Sequence, residues 1–428
     1  MQSGTIRTGM LMLWAVLAAA CSTKPSYTPE REYLDMEQAI LTQFITVEDS
    51  GVIELPEGHF LFSQSLIMDG KKHVTVRGKG MDKTILSFKG QKQGAEGIKI
   101  ANGVNITLED FAVEDADGDN IKVSDTDSIT FRRVKVAWTG EVSTENGAYG
   151  FYPVICKNVL IEECVAIGAS DAGIYVGQSE NVVIRNNKAY HNVAGIESEN
   201  SGNVEIYGNE AYENTGGLLV FDLPGLTRYG HDIKVYDNDI HDNNLENFGI
   251  KGSIVSTIPL GSGVVILATS RVEMYNNRVA HHKTAGTAII SYGILDALAD
   301  KQTEEMPEDA RIGGVRGLDS NYKADKNYNP YAGQIFIHDN TFENEYILPS
   351  FSSDFGYLWA LKNGLTIPDV VWDGLLPEDG RDENGQVKEQ YKVCVQNDKN
   401  VNFVMLDAGN DFENFTDDVT NYACNLSI

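Results

Sequence analysis

The sequence predicts an all-β fold, a right-handed parallel β-helix made of three-strand rungs of ~22 residues with a cap at each end. Three observations predict it. A glycine-led unit recurs at near-constant spacing, apolar residues alternate with period two inside each unit, and asparagines recur at fixed places between the alternating segments.

The unit from Gly150 reads GFYPVICKNVLIEECVAIGASDA, that from Gly173 GIYVGQSENVVIRNNKAYHNVA, and that from Gly195 GIESENSGNVEIYGNEAYENTG. Gly217 opens the next, so the steps are 23, 22 and 22 residues. Each unit holds three short alternating segments separated by Gly, Asn or Asp, and none has a helical period. The second segment has the form N-V-x-I and is followed by an asparagine. Asn187, Asn209, Asn238, Asn277 and Asn340 hold that place, and Phe111, Val134 and Cys164 hold it in earlier units. Five residues further on stand Asn192, Asn214, Asn243 and His282, and four after Asn340 stands Asn344. Parallel rungs stack ~4.8 Å apart, so inward residues at one position form a column. An asparagine column satisfies its own buried polar groups, and asparagine tolerates left-handed corners. A ladder therefore explains these residues better than catalysis does.

The ladder spacing widens to 29, 39 and 63 residues after Asn209, which predicts loops leaving the corners, the longest from Asp296 to Tyr331. Glu30 to Phe62 reads as an N-terminal cap. It holds a short amphipathic helix between Tyr33 and Phe44, and GVIELPEGHFLF supplies the first strands. The expected organisation is a signal peptide over 1–20, a linker and cap over 21–50, the β-helix over 51–345 and a C-terminal cap over 346–428. Caps are needed because terminal rungs expose strand edges.

Arg7 precedes an apolar run from Met10 to Ala20, too short to span a bilayer and of signal-peptide length. It ends in Leu17-Ala18-Ala19-Ala20-Cys21, which resembles a bacterial lipobox with Cys21 as the lipidated residue. Export follows, with a lipid anchor holding the protein to a membrane. Ser22, where an Asp favours inner-membrane retention, points to the outer membrane of a Gram-negative cell, facing periplasm or surface. Exported proteins keep disulfides. Cys394 and Cys424, both in the non-repetitive C-terminal region, are the expected pair. Cys164 falls in the inward ladder column and Cys156 at a corner, so those two are expected to stay reduced.

A formal net charge of −28 excludes nucleic acid as a partner, since no basic stripe exists to displace counterions. A polyanion such as pectate needs bridging cations or a local basic patch, and solubility is the simplest account of the acidity. His191, His231, His241, His281 and His282 are scattered, without metal-site spacing, and read as surface or corner residues. Asp379 to Gly385 falls short of a calcium loop, because Gly380 stands at its first ligand position. No cofactor is expected, and Ca2+ stays open without a motif to support it.

Residues after each leading glycine alternate in and out. Ile174, Val176, Ile196, Ser198, Leu218 and Val220 point inward. Tyr152, Tyr175, Glu197 and Leu219 then form an outward column, with Glu199 beside it and Lys122 in an earlier rung. Asp171 sits at the corner before the Gly173 strand, and Asp222 at the corner after the Gly217 strand. Tyrosine rings stack on sugar faces and carboxylates accept hydroxyl hydrogen bonds. Glu197 and Asp171 are the candidates for acid–base chemistry, and Tyr152, Tyr175, Glu199, Asp222 and Lys122 for ligand binding. An ordinary solvated sheet accounts for the same tyrosines and glutamates equally well.

GASDAGIYVGQSENVVIRNN, AGIESENSGNVEI and TGGLLVFDLPGL resemble exported bacterial parallel β-helix domain-containing proteins, a likeness running from about Ile53 to Cys394 and Cys424. That family carries no assigned activity. The wider pectin lyase-like superfamily implies polysaccharide lyases, mannuronan epimerases and polygalacturonase-like hydrolases. This sequence departs from each, lacking a paired-Asp hydrolase signature, an adjacent Arg–Lys motif and a D-H-x-D epimerase motif. Two classes of function remain. One is a lipoprotein that binds or modifies a polysaccharide on the Tyr175–Glu197 face. The other is a non-catalytic scaffold docking an envelope protein partner. A groove walled by loops with converging carboxylates favours the first, and a flat apolar face around Leu219 and Phe221 the second.

Overall fold

The computed structural model describes residues 32–294, 322, 325–397, 401–410 and 412–428. The signal-like run, Cys21 and most of the loop from Asp296 to Tyr331 lie outside the described residues.

The chain is a right-handed parallel β-helix. Tyr149–Val154 pairs with Ala172–Gly177, that strand with Ala194–Glu199, and that one with Gly216–Phe221, all parallel and one rung apart. Among the described residues, 11 such strands make one sheet and 19 make a second. In the second sheet two stacks run side by side, as in Lys157–Glu162 and Val165–Ile167. The long strand Asp127–Ala137 pairs with both. Ile174, Val176, Ile196, Leu218 and Val220 are fully buried in a continuous apolar interior, as the alternation requires.

The N-terminal cap is a helix over Glu37–Thr46 that buries Ile40, Leu41 and Phe44. It starts later than the amphipathic pattern suggests, because Leu34 bridges in parallel to Phe60. Val52–Glu54 and Gly58–Leu61 are the first strands. At the other end the coil does not stop near 345. Val370–Trp372, Val393–Gln396 and Phe403–Met405 continue the sheets in register. These strands were hidden because insertions around them, including the helix Asp354–Lys362, erase the repeat spacing. Cys394 and Cys424 form a disulfide with Cα atoms 5.0 Å apart. Cys156 and Cys164 are buried and free.

The asparagine ladder is continuous. Asn187 Nδ2 donates to Asn209 Oδ1, Asn209 to Asn238, Asn238 to Asn277 and Asn277 to Asn340, each at 2.9 Å. The left-handed residue is not the ladder asparagine itself but its predecessor: Asn186, Gly208, Asp237, Asn276 and Asp339 have φ of +52° to +64°. The corner thus divides the work between a residue that turns and one that bonds. A second ladder joins Asn192, Asn214 and Asn243. His282 ends it and is buried inside the coil rather than at the surface, its Nδ1 against the Ala280 carbonyl, while Asn344 lies exposed. The leading glycines make room for this ladder. A Cβ on Gly195 would lie 2.8 Å from Asn214 Nδ2, and one on Gly217 2.7 Å from Asn243 Nδ2.

Candidate functional site

Strand register places the outward column where alternation predicts it. Lys99 faces Lys122 and Lys122 faces Tyr152. Tyr175 faces Glu197, Glu197 faces Leu219, and Glu199 lies between Gly177 and Phe221. The column is not a solvated face, however. Tyr175 is 3% exposed, Glu197 2% and Leu219 0%. The cause is a roof formed by the loops that interrupt the repeat. The loop from Asp222 to Gly230 folds back over earlier corners. Thr227 donates to Gln178 Oε1 from its amide (3.1 Å) and hydroxyl (2.9 Å), and Arg228 pairs with Glu180 at 2.8 Å. Asn200 accepts from the Leu223 amide at 2.8 Å. From the loop after Asn243, Ile254, Val255 and Ile258 pack on Leu219 and Phe221 in a second apolar cluster, outside the coil.

At the margin of this roof lies a cluster of rings and carboxylates. The Tyr149, Tyr152 and Tyr175 rings touch one another with centroids 4.5, 4.6 and 5.0 Å apart. Tyr149 escaped the sequence reading because it stands just before a leading glycine, outside the aligned unit; its register opposite Ala172 brings it beside Asp171. Lys122 Nζ sits 4.6 Å from the Tyr152 ring centre and 3.7 Å from Asp119. The Tyr175 hydroxyl donates to Glu199 Oε1 at 2.9 Å. Glu197 Oε2 is buried with no hydrogen-bond partner.

Burial dominates the electrostatics. It pushes Asp171 up to about 8, with the Glu199 charge adding to the rise and a hydrogen bond with Tyr149 opposing it. It pushes Glu199 up to about 7 against the Tyr175 bond. Glu197 is raised as well: burial first, then the charges of Asp171 and Glu199, hold it well above its usual value. Asp119 rises to about 6, chiefly by burial and against the pull of Lys122. The Asp171, Glu197 and Glu199 carboxyls titrate as a unit that is still partly protonated near neutral pH. It can therefore both donate and accept a proton.

Asp222 stands apart. It is buried, its Oδ1 accepts from the Gly230 amide at 2.6 Å, and its carbonyl accepts from the Tyr328 hydroxyl at 2.7 Å. It pins the roof loop to the end of its strand rather than lining open space. A further column escaped notice in the sequence. On the other sheet Glu109, Arg132, Glu162 and Arg185 alternate in charge from rung to rung. Tyr207, Tyr236, Tyr275 and His338 follow as a stack with centroids 4.8, 5.0 and 5.3 Å apart. Those rings stack face to face along the rungs and brace the coil. No group of His, Cys, Asp and Glu suited to a metal ion occurs among the described residues.

Among solved structures the chain is similar to the A-module of the mannuronan C-5 epimerase AlgE4 of Azotobacter vinelandii, with 15% identity over 86% of this chain and 92% of that one and a TM-score of 0.47. It is similar to an exopolygalacturonase of Thermotoga maritima (14% identity, 74% and 89% covered, TM-score 0.47). It is also similar to a DFA-IIIase of Arthrobacter chlorophenolicus A6 (10% identity, 85% and 95% covered, TM-score 0.44). No curated protein matches the sequence. The right handed beta helix region matches residues 68–225 and 140–297, which together span more than half of the chain, and the protein belongs to that family.

Proposed function

We propose that the protein binds an uncharged glycan against Tyr149, Tyr152 and Tyr175 and hydrolyses a glycosidic bond with the carboxyls beneath them. One observation carries this reading: Glu197 and Glu199 stand two residues apart on one strand, Asp171 lies at the corner entering the neighbouring strand, and the Tyr175 hydroxyl between them holds Glu199 at 2.9 Å beneath a loop wall. Glu197, the least exposed of the three and held protonated by burial, gives its proton to the leaving oxygen as the glycosidic C–O bond breaks. Glu199 ionises most readily and takes the proton of a water whose oxygen bonds to the anomeric carbon. Asp171, which the sequence reading paired with Glu197, shares the cluster's remaining proton and holds Glu197 in its acid form. The carboxyls repel uronate chains, and Lys99 and Lys122 already face Glu96 and Asp119, so neutral sugars fit best.

The scaffold alternative needed an open apolar surface at Leu219 and Phe221, and their burial removes its motive. Dextran, xylan, arabinan, galactan and inulin, screened for release of reducing ends, test the proposal. Turnover of one of them by the wild type, lowered about 10²–10⁴-fold in Glu197→Gln with binding retained, is the expected result. An equally active Glu197→Gln would refute the assignment. Export and lipidation at Cys21 belong to the same reading, since an anchored hydrolase meets its glycan outside the cytoplasm. A fatty-acid analogue fed to cells should label the wild type and not Cys21→Ser.

A further inference from the structure

We infer that the site takes its glycan end-on: only the terminal unit reaches the carboxylates, and the rest of the chain runs along the coil axis toward the N-terminal end. This rests on the glycan-hydrolysis reading and adds its direction and its mode of attack. The observation is a one-way gradient of exposure along a single column. Leu219 is 0% exposed, Glu197 2% and Tyr175 3%. The Lys122 side chain is 28% exposed and that of Lys99 43%, and Ile67, the next residue in register, is 51% exposed.

In the opposite direction the face stays covered. Val265 follows Leu219 in register and is buried under the same roof. Ala288 comes next and packs partly buried with the cluster around Trp359, and Val371 and Val404 beyond it are buried there too. The roof is built in, not laid over. Asn200 Nδ2 donates to the Leu223 and Arg228 carbonyls at 2.8 Å, and Asn247 Nδ2 to those of Val255 (2.9 Å) and Ile258 (2.8 Å). A polymer lying along the axis with its middle at Glu197 would have to pass through Leu219 and Phe221, one rung or ~4.8 Å further on. A chain end stops short of Leu219 and Phe221 and has only the Tyr175 ring, itself 3% exposed, to move aside before Glu197. In the open direction Lys99 lies four rungs from Glu197, about 19 Å, which leaves room for about four sugar units.

The test uses the full chain and linear oligosaccharides of about eight units cut from the polysaccharide that the wild type turns over. They are supplied uncapped, with a bulky group on one end, on the other, or on both. Products are followed by chromatography, and the viscosity of the parent polymer alongside. The expected result is stepwise loss of single terminal units, slow loss of viscosity, and abolition of turnover by a cap at one particular end. Lys99→Ala should raise KM several-fold for chains of four units and more. Mid-chain fragments, or hydrolysis of the doubly capped chain as fast as the uncapped one, overturn end-on binding and leave the hydrolase reading standing. If none of the five polysaccharides is cleaved, the hydrolase reading fails and takes the inference with it.

Discussion

The Tyr175 hydroxyl reaches Glu199 at 2.9 Å by lying across Gly177, the residue that register sets opposite Glu199. A Cβ on Gly177 would fall 2.1 Å from that hydroxyl oxygen and 2.5 Å from the ring. The missing side chain is thus what lets a tyrosine on one rung hold a carboxylate on the next.

Two substitutions test the consequence. The Tyr175 bond lowers the Glu199 pKa against burial. Gly177→Ala displaces the ring and Tyr175→Phe removes the donor, so both should raise that pKa. The acid limb of the kcat/KM profile should move to higher pH in both variants, and activity below pH 7 should fall several-fold. Limbs that stay put in both would show that Glu199 is not the base.

Stability should report the same cluster. Asp171 rises from 3.8 to about 8 and Glu199 from 4.5 to about 7, so the folded state binds protons more tightly than the unfolded one. Their contribution is therefore fully present below about pH 4 and is lost as pH climbs through about 7 and 8. Glu197→Gln removes a buried acid whose Oε2 has no partner. It should stabilise the protein at pH 8 by about 1–3 kcal/mol and by less at pH 5. Thermal melts at both pH values measure this difference, and a variant whose advantage grows toward acid would contradict it.

The ladder supports a sharper forecast. Asn209 Oδ1 accepts from the amide of Asn187 (3.0 Å) and its side chain (2.9 Å), and Asn209 Nδ2 donates to the Ile184 carbonyl at 2.9 Å. Asn209→Leu strands several buried polar groups at once, so it should cost roughly 3 kcal/mol or more in denaturant unfolding. A neutral result would mean that water replaces the lost bonds inside the coil.

That ladder was legible in the sequence because a solenoid repeats each demand every rung, and Asn187, Asn209 and Asn238 answer the same one. Inward and outward faces followed for the same reason. The roof had no such signal. Thr227 meets Gln178 across 49 residues and Tyr328 meets Asp222 across 106, contacts made once and carrying no period. Without the roof, Tyr175 and Glu197 read as members of a solvated sheet, and their burial, which sets the electrostatics of the site, stayed hidden. The Glu109–Arg132–Glu162–Arg185 column was missed differently. Its members alternate in charge, so no single residue type recurs to reveal it.

Asp222 separates positioning from ligand contact. Burial holds its carboxyl well above the usual range, with the Gly230 amide bond opposing and the Glu199 charge adding to the rise. An amide of the same shape can still accept from Gly230 and brings no charge to bury. Asp222→Asn should therefore fold with unchanged or slightly higher stability at pH 8 and keep its glycan turnover. Asp222→Ala leaves the Gly230 amide without its partner and should cost about 1–3 kcal/mol. The loss should be local first, so hydrogen exchange should quicken over the Asp222–Gly230 loop before it does in the ladder strands. Turnover should fall as Leu219 and Phe221 lose their cover and water reaches the carboxyls. If Asp222→Asn instead abolishes turnover while exchange in the loop stays at the wild-type rate, Asp222 touches the sugar, and the wall is held without it.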